Sequence, residues 1–461
     1  MANPTITFNT STGSDSLASG AGPATAINDV TESSTVTYSG TGPYTMTFSS
    51  ATDLSGVVAD GSHVLYLATS TGRRFFNIEA VNDGADTVDV TEAPAGTTSG
   101  LSWAIGGKRA TLDDTNSRLI FSADNTGSWI IELEDDQTIT SALLFTFPTN
   151  VGAFASSFQS DISGTRRSIT CTIDDPVFRI QQFVAVVFSD LILKNSFVGT
   201  KTDAQGVECS SAVELTFHRC IFGDPAGVDN LYSGLQRTGQ SGRFYFYDTL
   251  FINCETNGVG LTWQYQFYQN CSFIGNAYGW RGFPSGTGET TMFVNCLFSN
   301  NTQDGMFIDN SSIGYYYVIN CTFADNTGSG IRQDSTAGVW RQLVIRDCIF
   351  ANNGDYGIEF GSEVQNHPLD YNNFFGNTTG DRLNVVAGPN DTTFDPEFAL
   401  TGQTDPLDND YTPTNASLTT HYTTGLGVIG SKSYTPSGAI IPAAAAGGAV
   451  YLSSRNRNLR M

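Results

Sequence analysis

One arrangement of apolar and polar positions recurs three times between residues 293 and 358: "FVNCLFSNNTQDGM", "VINCTFADNTGSGI" and "VIRDCIFANNGDYGI". In each, an apolar run is broken by Asn or Asp, resumes at a Cys with a Phe two residues on, and breaks again at Asn and Gly. On a strand, residues two apart point to the same side, so Cys and Phe are expected to face inward together. Taking the Phe as a marker gives Ile173, Phe197, Phe222, Phe251, Phe273, Phe298, Phe323, Phe350 and Phe375, with steps of 24, 25, 29, 22, 25, 25, 27 and 25 residues. Such a period marks a solenoid. The Leu-x-x-Leu-x-Leu frame and any helical segment are missing, so each turn is expected to hold three short strands.

Three further columns follow from the same frame. Cys171, Asn195, Cys220, Thr249, Cys271, Cys296, Cys321, Cys348 and Asn373 lie two residues before the markers. Asn276, Asn301, Asn326 and Asn353 lie three residues after them; Asn tolerates left-handed turns and can bond its own kind between coils. Gly258, Gly279, Gly305, Gly330 and Gly357 each precede an apolar residue and are expected at a tight bend. The cysteines lack CxxC pairs, which argues for core packing and against a metal site.

The fold class expected is all-β, a right-handed parallel β-helix of about 25 residues per coil, spanning residues 109–395. Residues 1–108 have a different texture and read as a small β domain, a head or attachment module. Its segment "ADGSHVLYLATSTGRRFFNIEAVNDGADTVDVTEAP" holds three or four strands. Residues 396–461 read as a final irregular coil and a C-terminal docking tail. The tail "SGAIIPAAAAGGAVYLSSRNRNLRM" ends in Arg455, Arg457 and Arg460 on an otherwise acidic chain, and is expected to dock on a neighbouring acidic subunit.

Composition narrows the function. The 461 residues carry 22 Lys and Arg against 45 Asp and Glu, a formal charge of −23, which excludes nucleic acid as a partner. No apolar run is long enough for membrane insertion. The N-terminus "MANPTITFNTSTG" shows no Sec-type signal peptide, and the eight cysteines have no disulfide-framework spacing.

The repeat resembles the right-handed parallel β-helix of the pectate-lyase-like superfamily, which includes phage tailspikes. That resemblance, together with a polar surface and no secretion signal, leads us to expect a phage virion structural protein. It would be a homotrimeric spike, fibre or capsid-decorating protein on the virion surface, assembled in the host cytoplasm. Its partners would be itself, other capsid or tail proteins, and host surface polysaccharide. No cofactor and no metal are expected. The alternative is a tailspike-type depolymerase, a hydrolase or lyase of capsule or lipopolysaccharide.

Two sets of residues are candidates for contact or chemistry. Tyr245, Phe267, Met292, Tyr317 and Val344, with Tyr315 nearby, should line one flank as an aromatic stripe that packs on sister subunits or on sugar rings. Asp309 and Asp334 each lie four residues after a coil's Gly, with Arg332 and Glu359 close by. A carboxylate pair in that position suits a glycosidase, yet turns rich in Gly, Asn and Ser favour solvated, ionised acids. The Asn-Thr-Asp, Gly-Asp-Asp and Gly-His-Gly strings of polygalacturonase-like hydrolases are absent. No catalytic residue is therefore assigned, Asp309, Asp334 and Glu359 being the weak candidates.

Overall fold

The computed structural model describes residues 5–8, 36–39, 43–48, 54, 57, 59, 64–69, 72–90, 102–106, 108–109, 112, 130–145, 156–160, 166–181, 185–210, 213–237, 242–261, 265–282, 287–309, 313–334, 342–361 and 368–419. From residue 130 each coil gives one strand to each of three parallel sheets. The coil at Ile313–Ile319, Thr322–Ala324 and Ile331–Gln333 is typical. The second and third sheets have ten strands each, and the first has twelve.

The core is built from rings stacked coil on coil. Under the second sheet, Phe273 lies 4.5 Å from Phe298 at 1° between planes. Phe298 lies 4.6 Å from Phe323, and Phe323 lies 5.0 Å from Phe350. A second stack under the first sheet runs through Phe217, Phe246, Tyr268 and Phe293. The strand spacing of ~4.8 Å sets this distance, so identical residues at one register position meet face to face. All eight cysteines are buried and none forms a disulfide, and burial pushes the Cys220 thiol up to about 12. They act as small apolar fillers.

The buried asparagines form a ladder. Asn301 Nδ2 donates to Asn326 Oδ1 at 2.8 Å, and Asn326 Nδ2 donates to Asn353 Oδ1 at 2.9 Å. The same nitrogens also reach Phe273 O and Phe298 O, so the corner's backbone is satisfied from inside. The left-handed residue is the one before each ladder Asn: Gly275, Asn300, Asp325 and Asn352 have positive φ.

Three expectations are corrected by the register. Ile169, Leu193 and Phe222 share one column, and Phe374, not Phe375, pairs with Phe350. Ile173 and Phe197 instead fall in the corner beyond their strands, and Cys171 and Asn195 close strands where Cys220 to Cys348 precede them. The early coils turn after longer second-sheet strands, which shifts the motif. The glycine column also has a different cause. A Cβ on Gly279 would meet Gly305 O at 2.5 Å, and one on Gly330 would meet Gly357 O at 2.7 Å, so close approach between coils demands glycine there.

The solenoid's ends hold two features that the sequence does not announce. Thr5–Phe8 and Lys108–Arg109 join the first sheet as parallel strands beside Ile130–Leu133, so the chain's first strand belongs to the solenoid and covers its open edge. The segment between them forms a six-stranded antiparallel sheet from Val36–Ser39 to Ser102–Gly106, with its own core of Met46, Leu65, Phe76, Ile78 and Val88. After Phe394 the chain is not another coil. Strands Phe398–Leu400 and Asp410–Pro413 pair antiparallel and lie as a strap over the outer face of the second sheet. Leu407 and Tyr411 join one buried cluster with Ile221, Leu250, Ile252, Ile274 and Leu297, and Leu418 packs with Ile349 and Ala351. Tyr411 Oη donates to Asp325 Oδ2 at 2.7 Å and accepts from Asn300 Nδ2 at 2.8 Å.

Candidate functional site

The three sheets present different outer faces. The second is covered by the strap. The third carries charge along one column, Arg281, Phe307, Arg332 and Glu359 on successive strands. Phe307 is 7% exposed and lies between the two guanidinium groups, 5.3 Å from Arg281 and 5.9 Å from Arg332. Such cation–π contacts let a ring be buried on a charged face.

Asp309 and Asp334 follow adjacent strands of this sheet, as the spacing implies. Their ion-pair partners are set by the register. Arg281 reaches Asp309 at 3.4 Å, and Arg332 turns to Glu359 at 3.8 Å, because Arg332 and Glu359 are register neighbours. Asp334 is exposed. The pair that shares a partner is Asp304 and Glu359. Ser329 N donates to Asp304 Oδ1 and Ser329 Oγ donates to Glu359 Oε2, each at 2.7 Å.

Asp304 was not among the sequence candidates. Only 2% of it is exposed, and desolvation outweighs the Ser329 N–H and the Arg332 charge, pushing its carboxyl up to about 6. The sequence signal for it was Asp at a position where neighbouring coils place Tyr278 and Ser329. Its folded value lies above the ordinary 3.8, so the native state holds a proton that the unfolded chain releases. The stability this contributes is complete below pH 3.8 and is lost as pH rises through about 6. Asp304→Asn keeps the acceptor for Ser329. It is expected to melt like wild type at pH 4 and to gain on the order of 2 kcal/mol at pH 8. Thermal melts across that range check it; equal melts at pH 8 would show the carboxyl to be unstrained.

The first sheet shows the stripe. Tyr245, Phe267, Met292, Tyr317 and Val344 occupy one outward register column, each half-buried. Tyr315 lies in the next column, with Tyr265 and Thr290. On the other side His218 stacks on Tyr247 at 4.8 Å and 10°, and burial, with the Arg219 charge, holds its imidazole below the usual value. Tyr245 meets Tyr265 at 5.8 Å, and Tyr247 meets Phe267 at 5.8 Å. Burial raises the phenols of Tyr245 and Tyr265. Arg455, Arg457 and Arg460 lie outside the described residues.

Among the described residues no three His, Cys, Asp or Glu side chains group as metal ligands, and no helix is long and apolar enough to cross a membrane.

Similar solved structures include the A-module of the Azotobacter vinelandii mannuronan C-5 epimerase AlgE4, at 12% identity over 58% of this chain and 91% of that one, TM-score 0.33. XylC in complex with xylose is 9% identical over 74% of this chain and 69% of its own, TM-score 0.29. The Agl-KA catalytic domain is 11% identical over 78% and 87%, TM-score 0.29. No curated protein matches the chain in sequence. Residues 233–396 match the family model described as "Right handed beta helix region", and the strand ladders continue the same coil N-terminally to Ile130: the solenoid is a right-handed parallel β-helix.

Proposed function

We propose that the protein is a structural β-helix of a phage-type particle, a spike, fibre or decorating subunit whose first sheet packs against sister copies. The observation that supports this is the contrast between the three outer faces. The strap covers the apolar second face and ion pairs line the third. The first face keeps half-buried Tyr, Phe and Met side chains with no cover among the described residues. Its ring contacts, Tyr245 with Tyr265 and Phe267 with Tyr247, are tilted at 50° and 56°, and only His218 and Tyr247 beside them stack flat. A rod with one apolar flank closes most simply around a rotation axis, and three copies are expected.

Sedimentation of the purified chain should show a trimer, and Tyr317→Glu should release monomers that keep the wild-type circular dichroism, since the residue faces outward. A wild-type monomer at every concentration would refute the seam.

The second reading, an enzyme or receptor for host capsule or lipopolysaccharide, is favoured by one observation, the raised carboxyl of Asp304 beside Glu359. Asp304 is almost fully enclosed, which suits a structural acid better than one that must protonate a glycosidic oxygen. Incubation with capsule from a susceptible host should therefore give no new reducing ends. Cleavage that disappears in Asp304→Asn or Glu359→Gln would promote the depolymerase.

A further inference from the structure

We infer that the protein's own C-terminal segment, Ser437–Met461, docks in cis on an acidic, apolar-tipped knob at the corners between the second and third sheets. Three successive coils build this knob at residues 172–177, 196–204 and 223–232. Here Val198 is 96% exposed, Val228 77% and Ile173 39%. These tips stand on fixed loops. Asp174 accepts from Thr202 N at 3.0 Å, Thr202 Oγ1 at 2.7 Å and Asp203 N at 2.9 Å. Asp224 accepts from Ala226 N, Val228 N and Asp229 N at 3.1, 3.2 and 3.1 Å. Lys201, 6% exposed, ties the loops together from beneath by donating to Asn195 O and Asn230 O. A surface this ordered, with valines outward, is built to be covered.

The charge of the knob states what covers it. Its cations are already spent in pairs, Arg179 with Asp175, Asp203 and Glu208, Lys194 with Asp229, and Lys201 with Glu255. Asp174 and Asp224 are held by backbone N–H groups instead, leaving the rim net negative. The chain holds one stretch that complements it: "AIIPAAAAGGAVYL" followed by Arg455, Arg457 and Arg460, with no acidic residue from Ser437 to Met461.

Reach favours the same chain over a second copy. The strap ends at Thr419, with Leu418 against Ile349 and Ala351. The strand of Ile221, at the knob, is five second-sheet spacings below that of Ile349, a span of roughly 24 Å at ~4.8 Å each. Residues 420–436 extend to roughly 55 Å at ~3.3 Å each, ample for the span. A tethered segment then acts at an effective concentration in the ~mM range, above that of any free copy.

The test is amide hydrogen exchange of residues 437–461 in the full-length protein. Wild type should show protection that is independent of protein concentration. The double variant Val198→Asp with Val228→Asp should lose it at least about tenfold, as should the triple variant Arg455→Ala, Arg457→Ala and Arg460→Ala. Both valines are loop tips, and Val198→Thr with Val228→Thr provides a milder pair should the charged one disturb folding. An unprotected wild-type segment, or protection that none of these variants reduces, overturns the inference. Protection that rises with protein concentration overturns docking in cis and gives the knob to a second copy. None of these outcomes depends on the first sheet forming a seam.

Discussion

Phe323→Ala is expected to destabilise the protein by ~3–5 kcal/mol, the usual cost of emptying a ring's volume in a core that cannot collapse. Phe323 has no exposed surface and lies between Phe298 and Phe350, at 4.6 and 5.0 Å. The coils above and below are held at the strand spacing by continuous ladders of hydrogen bonds through Thr322–Ala324, so they cannot close over the gap. Two ring faces therefore lose their partners at once. Asp334→Asn changes an exposed side chain beyond the same coil's third strand and is expected within about 0.5 kcal/mol of wild type. Denaturant melts of both variants decide the matter. If Phe323→Ala melts beside Asp334→Asn, the stack does not hold the solenoid.

Why the Phe stack was legible and the strap was not follows from where each pattern is written. Rings at one register position repeat in the sequence at the coil period, so Phe251, Phe273, Phe298, Phe323 and Phe350 announce themselves. The register failed where the repeat's punctuation changed. In the early coils Cys171 and Asn195 end five-residue strands, whereas Cys321 precedes a three-residue one. Counting from a cysteine therefore misplaces Ile173 and Phe197 by a corner.

The strap left a signal that went unread. Strands "LFI" at Leu250–Ile252 and "IFA" at Ile349–Ala351 are apolar at every position, and a strand with one wet face alternates. Such a run predicts cover on both faces, though not which segment supplies it. Outward residues keep the same coil period, as Tyr245, Phe267 and Tyr317 do, whereas Tyr315 falls one column over. Which carboxylate an arginine pairs with is set by geometry, which the spacing alone does not give. Arg332 lies in register with Glu359, and Asp309 falls instead to Arg281. Asp304 stayed hidden because enclosure is a property of the corner, which the letter D does not carry.

Asn326→Leu should cost on the order of 3–6 kcal/mol, as much as any ring, although it adds no cavity and buries one more apolar side chain. Asn326 Oδ1 accepts from Asn301 Nδ2 at 2.8 Å and from Asn301 N at 3.2 Å. Its Nδ2 donates to Phe298 O at 3.1 Å and to Asn353 Oδ1 at 2.9 Å. Leucine of similar size removes all four bonds and admits no water to replace them. Two groups are then left buried and unpaired, Asn301 N and one Asn301 amide hydrogen, while Phe298 O keeps only its ladder partner. At ~1–3 kcal/mol each, with part recovered by relaxation, the sum exceeds what leucine gains by burial. Asn326→Asp separates polarity from packing. It keeps both acceptors for Asn301 but loses the donor to Phe298 O and sets a carboxylate against Asn353 Oδ1, so it should be destabilised more at pH 8 than at pH 4. Equilibrium unfolding of the two variants at both pH values is the measurement. A leucine variant within 1 kcal/mol of wild type, on the order of an ordinary surface change, would mean that the ladder follows the coil and does not hold it.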